Sequence, residues 1–209
     1  PPDTRLLRLV PASSIQVRPV YWLWQDRIAQ GTMALLAGRE GIGKSILAYT
    51  LAADITQGRM PGIYRETPRA VIVAATEDSW AHTIVPRLMA ADADLARVFR
   101  VDVHTIDGLD VPLSLPIDLP ALAAHIRESQ TALVLLDPLL SRLDAALDTH
   151  KDANVRVALE PLVALGDQTG AAILGLIHLN KSVSTDMLTL LMGSRAFAAV
   201  ARAVLFAME

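Results

Sequence analysis

Residues 38–45 read Gly-Arg-Glu-Gly-Ile-Gly-Lys-Ser, and no other stretch restricts the fold of the chain as strongly. They fit the pattern G-x-x-x-x-G-K-[ST], in which a glycine-rich turn between a strand and a helix surrounds phosphate with backbone N–H groups. The flanks agree, because residues 32–37 are an apolar run typical of a buried strand and residues 45–55 carry apolar side chains at helical spacing. The stretch therefore predicts a strand–loop–helix unit that binds a nucleoside triphosphate.

Each part of this loop has an expected task. The glycines allow the backbone to wrap closely without Cβ clashes, Lys44 is placed to contact the β- and γ-phosphates, and the Ser45 hydroxyl is placed to ligate Mg²⁺. A glycine-rich turn that carries a surface lysine is the plainer alternative, and the flanking strand and helix count against it. The predicted nucleotide-binding residues are consecutive: Gly38, Arg39, Glu40, Gly41, Ile42, Gly43, Lys44, Ser45 and Ile46.

The remainder of the chain alternates between predicted strands and helices. Apolar runs predict strands at 69–75, 132–137, 171–177 and 203–208, and helical spacing predicts helices that end near Ala90, that run from Asp118 to Ser129, and that span 153–168. Residues 98–104 alternate like a strand, and 105–117 look irregular or form a short edge hairpin. This order predicts an α/β fold with a mostly parallel central β-sheet covered by helices on both faces.

The 209 residues suit a single domain over 1–209, with residues 1–19 as a lead-in segment that holds one strand near Leu6–Val10. Hydrophobic residues make up 52% and aromatic residues only 4%, so the core is expected to be aliphatic. The absence of cysteine excludes disulfides and thiolate-ligated metal centres, and the five histidines lack metal-ligand spacing. No signal peptide or membrane span is recognised, so a cytoplasmic protein is expected. The net charge of −3 gives no general support to nucleic-acid binding, although a few loop lysines would not alter it.

Polar residues stand at the predicted strand ends, where ligands bind in open parallel sheets. Asp137 follows four large apolar residues and is expected to hold Mg²⁺. Glu77 is a candidate general base for the attacking water, although Glu77 or Asp78 could instead be a helix N-cap. His178 is placed to contact the γ-phosphate, and a hydrogen-bonded core histidine is the alternative.

These motifs resemble the RecA-like branch of P-loop ATPases, and within it the RepA-like AAA ATPases found beside plasmid and phage replication genes. The matching residues extend over nearly the whole chain: Trp22-Leu23-Trp24 with Gly31, the loop at 38–45, Glu77-Asp78, Leu136-Asp137-Pro138, His178-Leu179-Asn180-Lys181, and Gly193-Ser194 followed by Arg202. The resemblance implies ATP with Mg²⁺ as ligands, catalysis by Glu77, and water-mediated metal binding by Asp137. It also implies a γ-phosphate sensor at His178 and an arginine finger at Arg202, with Arg195 as the fallback.

The resemblance further implies a RecA-like motor that hydrolyses ATP between subunits of a homo-oligomer, in a ring such as a hexamer, and that works on single-stranded DNA as a helicase or replication-accessory ATPase. Family members usually continue with further strands, so a C-terminal region is expected to be missing here. Two alternatives stay open: an ATP-driven oligomeric switch or loader, and a small-molecule kinase, for which no arginine-rich lid stands out. Lys151 and Lys181 either face DNA or are solvated loop charges, and residues 20–24 either flank the nucleotide base or pack on the sheet.

Overall fold

The computed structural model describes residues 8–17, 19–143, 151–180, 187–191 and 196–208. Within these residues the chain forms ten strands and five α-helices. The strands are β1 Trp22–Trp24, β2 Ile28–Ala29, β3 Met33–Gly38, β4 Ala70–Ala75, β5 Val98–Arg100, β6 Val103–His104, β7 Asp110–Val111, β8 Thr131–Asp137, β9 Ala172–His178 and β10 Ala203–Ala207. The helices are α1 Lys44–Thr56, α2 Val85–Ala90, α3 Leu119–Glu128, α4 Asp152–Thr169 and α5 Ala196–Val200, and a π-helical turn, Trp80–Ile84, leads into α2.

Six strands form one parallel sheet in the order β10-β3-β9-β8-β4-β5. This arrangement confirms the predicted α/β class with a parallel central sheet, and it is consistent with a RecA-like P-loop fold. Because the strands are parallel, their carboxyl ends meet at one edge. That edge carries the ends of β3, β4, β8 and β9, where the phosphate loop, Glu77, Asp137 and His178 follow or end the strands.

Each face of the sheet packs against its own group of helices. Along β3, Met33 and Leu35 contribute to the core under α3, α4 and α5, whereas Ala34 and Leu36 contribute to the core under α1 and α2. The alternation follows from the two-residue period of a strand, and both faces are apolar because both are covered. The continuous apolar runs in the sequence are therefore explained by helices on the two sides.

Two expectations for the edges of the fold need correction. The segment 98–104 is two strands: β5 pairs with β4, and β6 forms an antiparallel hairpin with β7. Alternating hydrophobicity specifies which side chains face the core but not which strand is the partner, so the break at 101–102 left no trace in the pattern. Arg8–Val10 form no strand, and Leu9 is 88% exposed; residues 1–7 lie outside the described part. Within the described residues, no helix is long and apolar enough to cross a membrane.

Candidate nucleotide-binding site

The glycine-rich loop connects the end of β3 to the start of α1, as the sequence predicts, but its glycines serve different purposes. Gly43 has φ +95° and forms the N-cap of α1, and a Cβ added there would meet no atom within 4 Å. Its requirement is therefore the left-handed backbone, not space. Gly38 has an ordinary φ, but a Cβ there would lie 2.9 Å from the carbonyl oxygen of Ala207 on β10. Of Gly38 and Gly43, only Gly38 is therefore required by the close approach of other atoms, which is the reason expected for both.

Lys44 is folded back onto its own loop. The residue as a whole is only 7% exposed. Its Nζ donates to the carbonyl oxygens of Gly38 at 3.0 Å and Arg39 at 2.8 Å. A third contact joins Nζ to Nδ1 of His178 at 3.3 Å. An ammonium group has three protons, and these three acceptors use all of them. A phosphate must therefore replace at least one of these partners to bind Lys44.

The contact with Lys44 also assigns the protons of His178. An ammonium group can only donate, so Nδ1 of His178 accepts and the ring proton lies on Nε2. The position of the ring follows from the sheet, because β9 lies directly beside β3 and pairs His178 with Gly38. The structure therefore brings Lys44 and His178 together at the mouth of the loop, although 134 residues separate them.

Burial lowers the pKa of the Lys44 ammonium, and the negative charges of Asp137, Glu40 and Glu77 oppose this shift. Three carboxylates are thus close enough to act on one buried cation. A nucleoside triphosphate alone would add several more negative charges to this site. The electrostatics therefore favour a nucleotide that arrives with a divalent cation.

Asp137 ends β8 and faces α1. Burial raises the pKa of the Asp137 carboxyl, whereas hydrogen bonds from the hydroxyls of Ser45 and Tyr49 act in the opposite direction. Tyr49 Oη lies 3.4 Å from Oδ2 of Asp137. Ser45 and Asp137 are therefore adjacent, as their expected roles at one metal ion require.

This donor set fits Mg²⁺ held jointly with a nucleotide. Magnesium prefers oxygen ligands, keeps several of its waters, and is commonly bound by one or two protein oxygens together with substrate phosphates. Among the described residues, no group of three or more His, Cys, Asp or Glu side chains forms an independent metal site. One hydroxyl and one carboxylate beside an open phosphate loop match the shared kind of site.

A family model described as an AAA domain matches residues 3–184 of the chain. The chain belongs to this AAA domain family. No curated protein matches it significantly. Membership of the family indicates a P-loop ATPase, and AAA ATPases generally bind ATP with Mg²⁺. It does not distinguish a RepA-like helicase from other members.

Of the two acids that follow β4 in this AAA domain, Glu77 is the one left free. The side chain of Ser79 caps the following turn by accepting from the backbone N–H of His82, and Asp78 pairs with Arg87 at 2.7 Å. Glu77 is exposed, and within the described residues no hydrogen bond or ion pair occupies its carboxylate. Neither acid is the N-cap, so that alternative is wrong for both.

The candidate arginine finger lies at the other end of the sheet. Arg202 immediately precedes β10, and its backbone N–H donates to the carbonyl oxygen of Met33 at the start of β3. The five residues of β10 separate it from the phosphate loop by about 17 Å along the strand. Arg202 is exposed, and no carboxylate pairs with it in the part of the chain that the structure describes. The AAA domain therefore does not bring Arg202 to its own phosphate loop.

The structure describes only one of the three other basic residues for which a role was predicted. Arg195 and Lys181 lie outside the described residues, so their expected roles stay predictions. Lys151 is exposed at the start of α4. Its contact with DNA stays a prediction.

Sequence reasoning missed two polar residues near the site of this AAA domain. Tyr49 is 1% exposed and its hydroxyl contacts Asp137; its position four residues after Ser45 was the available signal, since such residues share a helix face. Arg142, which follows β8, is 4% exposed, and its Nη2 donates to Oγ1 of Thr76 at 2.6 Å. No local pattern distinguishes a buried loop arginine from a solvated one.

Proposed function

We propose that this AAA domain is an ATPase whose reaction centre is formed by the loop at 38–46 together with Glu77, Asp137 and His178. The supporting observation is that side chains from different segments of the chain lie close together around Lys44. Lys44, which begins α1, contacts His178 from β9 and lies within the electrostatic influence of Asp137 from β8 and Glu77 after β4. Four separate segments thus bring an ammonium group, two carboxylates and an imidazole to one edge of the sheet.

Each group has a task that its environment suits. Bound Mg²⁺ would neutralise phosphate charge, with the hydroxyl of Ser45 and the carboxylate of Asp137 as the protein's contributions. Glu77 is exposed and unpaired among the described residues, so it is free to orient a water molecule and accept its proton. A phosphate that draws Lys44 away from His178 would release Nδ1 of the imidazole. His178 would thereby respond to the presence of the nucleotide.

We propose further that the reaction site is shared between copies of the chain. Hydrolysis of this kind is commonly accelerated by an arginine that neutralises charge on the transferred phosphoryl group. The exposed Arg202 is at the opposite end of β10 from its own loop, a position that supports action on a neighbouring copy and not on its own site. A closed ring of subunits is the simplest assembly in which every site receives an arginine.

The proposed substrate of the motor is single-stranded DNA, with the helicase or replication-accessory role that the sequence motifs suggest. The support is that two loop segments are joined directly to residues of the proposed site. The segments that follow β8 and β9 begin directly after Asp137 and His178, so contact with a strand of DNA there would act on two site residues at once. Lys151, exposed at the start of α4, is one described basic residue in this region.

The test is ATP turnover measured against protein concentration, with and without single-stranded DNA, alongside the mass of the assembly. A shared site predicts a specific activity that rises with concentration. Arg202→Ala and Lys44→Ala should each be inactive alone, and a mixture should regain activity because some mixed interfaces combine an intact loop with an intact arginine. Flat specific activity with no recovery on mixing would refute the shared site. ATP turnover that DNA does not stimulate would instead favour an ATP-driven switch.

A further inference from the structure

The hydroxyl of Tyr49 occupies a defined place beside the metal-site acid. Tyr49 Oη lies 3.4 Å from Oδ2 of Asp137, and the residue is 1% exposed within the core formed by α1, α2 and the sheet. The tyrosine ring is therefore held by packing, and its polar tip is directed to a carboxylate. A buried tyrosine hydroxyl usually has such a partner, so the contact alone establishes only that Asp137 is the partner.

The helix adds the second observation. Ser45 and Tyr49 are four residues apart on α1, so they lie one turn apart on the same face. The Tyr49 hydroxyl donates to Oδ2 of Asp137, and the nearby Ser45 hydroxyl acts to lower the pKa of the same carboxyl. Two hydroxyls from one rigid element thus lie beside this carboxylate, and Tyr49 is the one with a hydrogen bond to it.

These donors do not remain equivalent when a metal binds. A hydroxyl oxygen that ligates Mg²⁺ is engaged with the metal, so Ser45 would exchange its contact with Asp137 for the ion. Tyr49 has no such second task, since its ring is fixed in the core. It would remain as the protein donor that fixes the orientation of the Asp137 carboxylate.

We infer that Tyr49 is a positioning residue for the metal site, which holds the carboxylate of Asp137 through its hydroxyl and thereby sets the affinity for the divalent cation that accompanies the nucleotide. This inference rests on the proposed function in one respect, because it takes Asp137 as the metal-site acid. Residues that orient metal ligands typically change metal affinity by about 10–100-fold when they are removed.

The test replaces Tyr49 with phenylalanine, which retains the ring and removes only the hydroxyl. We expect Tyr49→Phe to fold normally and to need roughly 10–100-fold more Mg²⁺ for half-maximal binding of a fluorescent ATP analogue. The same shift is expected in the Mg²⁺ dependence of turnover, with the rate recovering at saturating Mg²⁺. Mn²⁺ binding followed by electron paramagnetic resonance provides a readout that does not require hydrolysis.

Tyr64→Phe is the matched control. The Tyr64 hydroxyl is also hydrogen-bonded, since it accepts from Nε2 of Gln30 at 2.7 Å, but it lies away from the phosphate loop. Its removal should leave the metal dependence unchanged. A second control places Tyr49→Phe in an Asp137→Asn background, where the hydroxyl should have little further effect on metal affinity because its partner has lost its charge.

An unchanged Mg²⁺ midpoint in Tyr49→Phe would overturn the inference, and so would a loss of rate that is equal at all Mg²⁺ concentrations. An additive effect of Tyr49→Phe in the Asp137→Asn background would also overturn it, because the hydroxyl would then act through another group. If the wild-type chain binds the nucleotide in a metal-dependent manner without hydrolysing it, the proposed ATPase function fails while the metal-binding data still decide the role of Tyr49.

Discussion

Replacement of Gly43 by alanine should damage nucleotide binding far more than it damages the fold. Gly43 caps α1 with φ +95°, and a Cβ there would meet no atom within 4 Å. The substitution therefore introduces no clash. Its cost arises from forcing an L-residue into the left-handed region, and this distinguishes it from a change that overfills a core.

The magnitude follows from this geometry. The left-handed conformation costs an L-residue about 1–2 kcal/mol. Alanine also restricts the unfolded chain, which offsets about 0.4–1 kcal/mol of that cost. A net loss of about 1 kcal/mol in the free energy of unfolding lowers Tm by roughly 2–4 °C for a chain of this size. The effect on the fold should thus be small.

The effect on the ligand should be larger, because relief of the strain rotates the peptide groups that face the phosphate. Loss of a single hydrogen bond to a charged group costs about 1.5–3 kcal/mol. The Kd for Mg·ATP should therefore rise by roughly 10–100-fold. Thermal unfolding in EDTA without nucleotide, and equilibrium titration with a fluorescent ATP analogue, measure the two quantities separately.

Gly108→Ala is the matched control. Gly108 has φ +79° and likewise no atom within 4 Å of an added Cβ, but it lies in the β6–β7 hairpin. Alanine at position 108 should impose a similar backbone strain at a place outside the phosphate loop. Equal Kd values for Gly43→Ala and the wild type would refute the reasoning, as would a comparable loss of binding in Gly108→Ala.

Three further outcomes are expected. Glu77→Gln should bind Mg·ATP about normally but hydrolyse it roughly 10²–10⁴-fold more slowly, because the amide keeps the size and loses the base. If Asp78→Asn showed this phenotype and Glu77→Gln did not, the base would be Asp78 and the assignment to Glu77 would be wrong. Asp137→Asn should raise the Tm of the nucleotide-free protein at neutral pH, measured in EDTA. Burial raises the pKa of Asp137, so the folded state holds its proton more tightly than the unfolded state, and stability falls as the pH rises through that interval. The advantage of the asparagine should therefore shrink as the pH falls below the folded pKa and vanish below the unfolded pKa, and an advantage that persists in acid would contradict this explanation. Gly62→Ala should lower the free energy of unfolding by more than about 1 kcal/mol, because its Cβ would collide with the backbone carbonyls of Trp22 and Leu23; a Tm equal to that of the wild type would refute this.

Local sequence was sufficient for the elements and for the chemistry at their ends. The loop at 38–45 lies between β3 and α1 as predicted, since glycine and strand–helix periodicity act over a few residues. The apolar run before Asp137 indicated a strand covered on both faces, and the sheet confirms it. The carboxyl-end positions of Glu77, Asp137 and His178 followed from the same runs, because a parallel sheet gathers such ends at one edge.

Relations between distant elements were decided only by the folded structure. Periodicity records which face of a strand is buried, but it does not record the neighbouring strand. The placement of β9 beside β3 therefore first appears in the sheet, and with it the contact between Lys44 and His178. The strand order also puts β10 against β3, which explains why Gly38 has no room for a Cβ.

Side-chain partners across the fold were equally beyond the reach of local patterns. The ion pair with Arg87 engages Asp78, whereas Glu77 has no such partner among the residues that the structure describes. The Tyr49 hydroxyl contacts Asp137, although 88 positions separate the two residues in the sequence. Arg202, although it follows a motif near the end of the chain, lies at the far end of the sheet from its own loop. Each of these facts depends on packing between segments that are remote in sequence, and the free energy that selects such packing is a property of the whole core rather than of any one stretch.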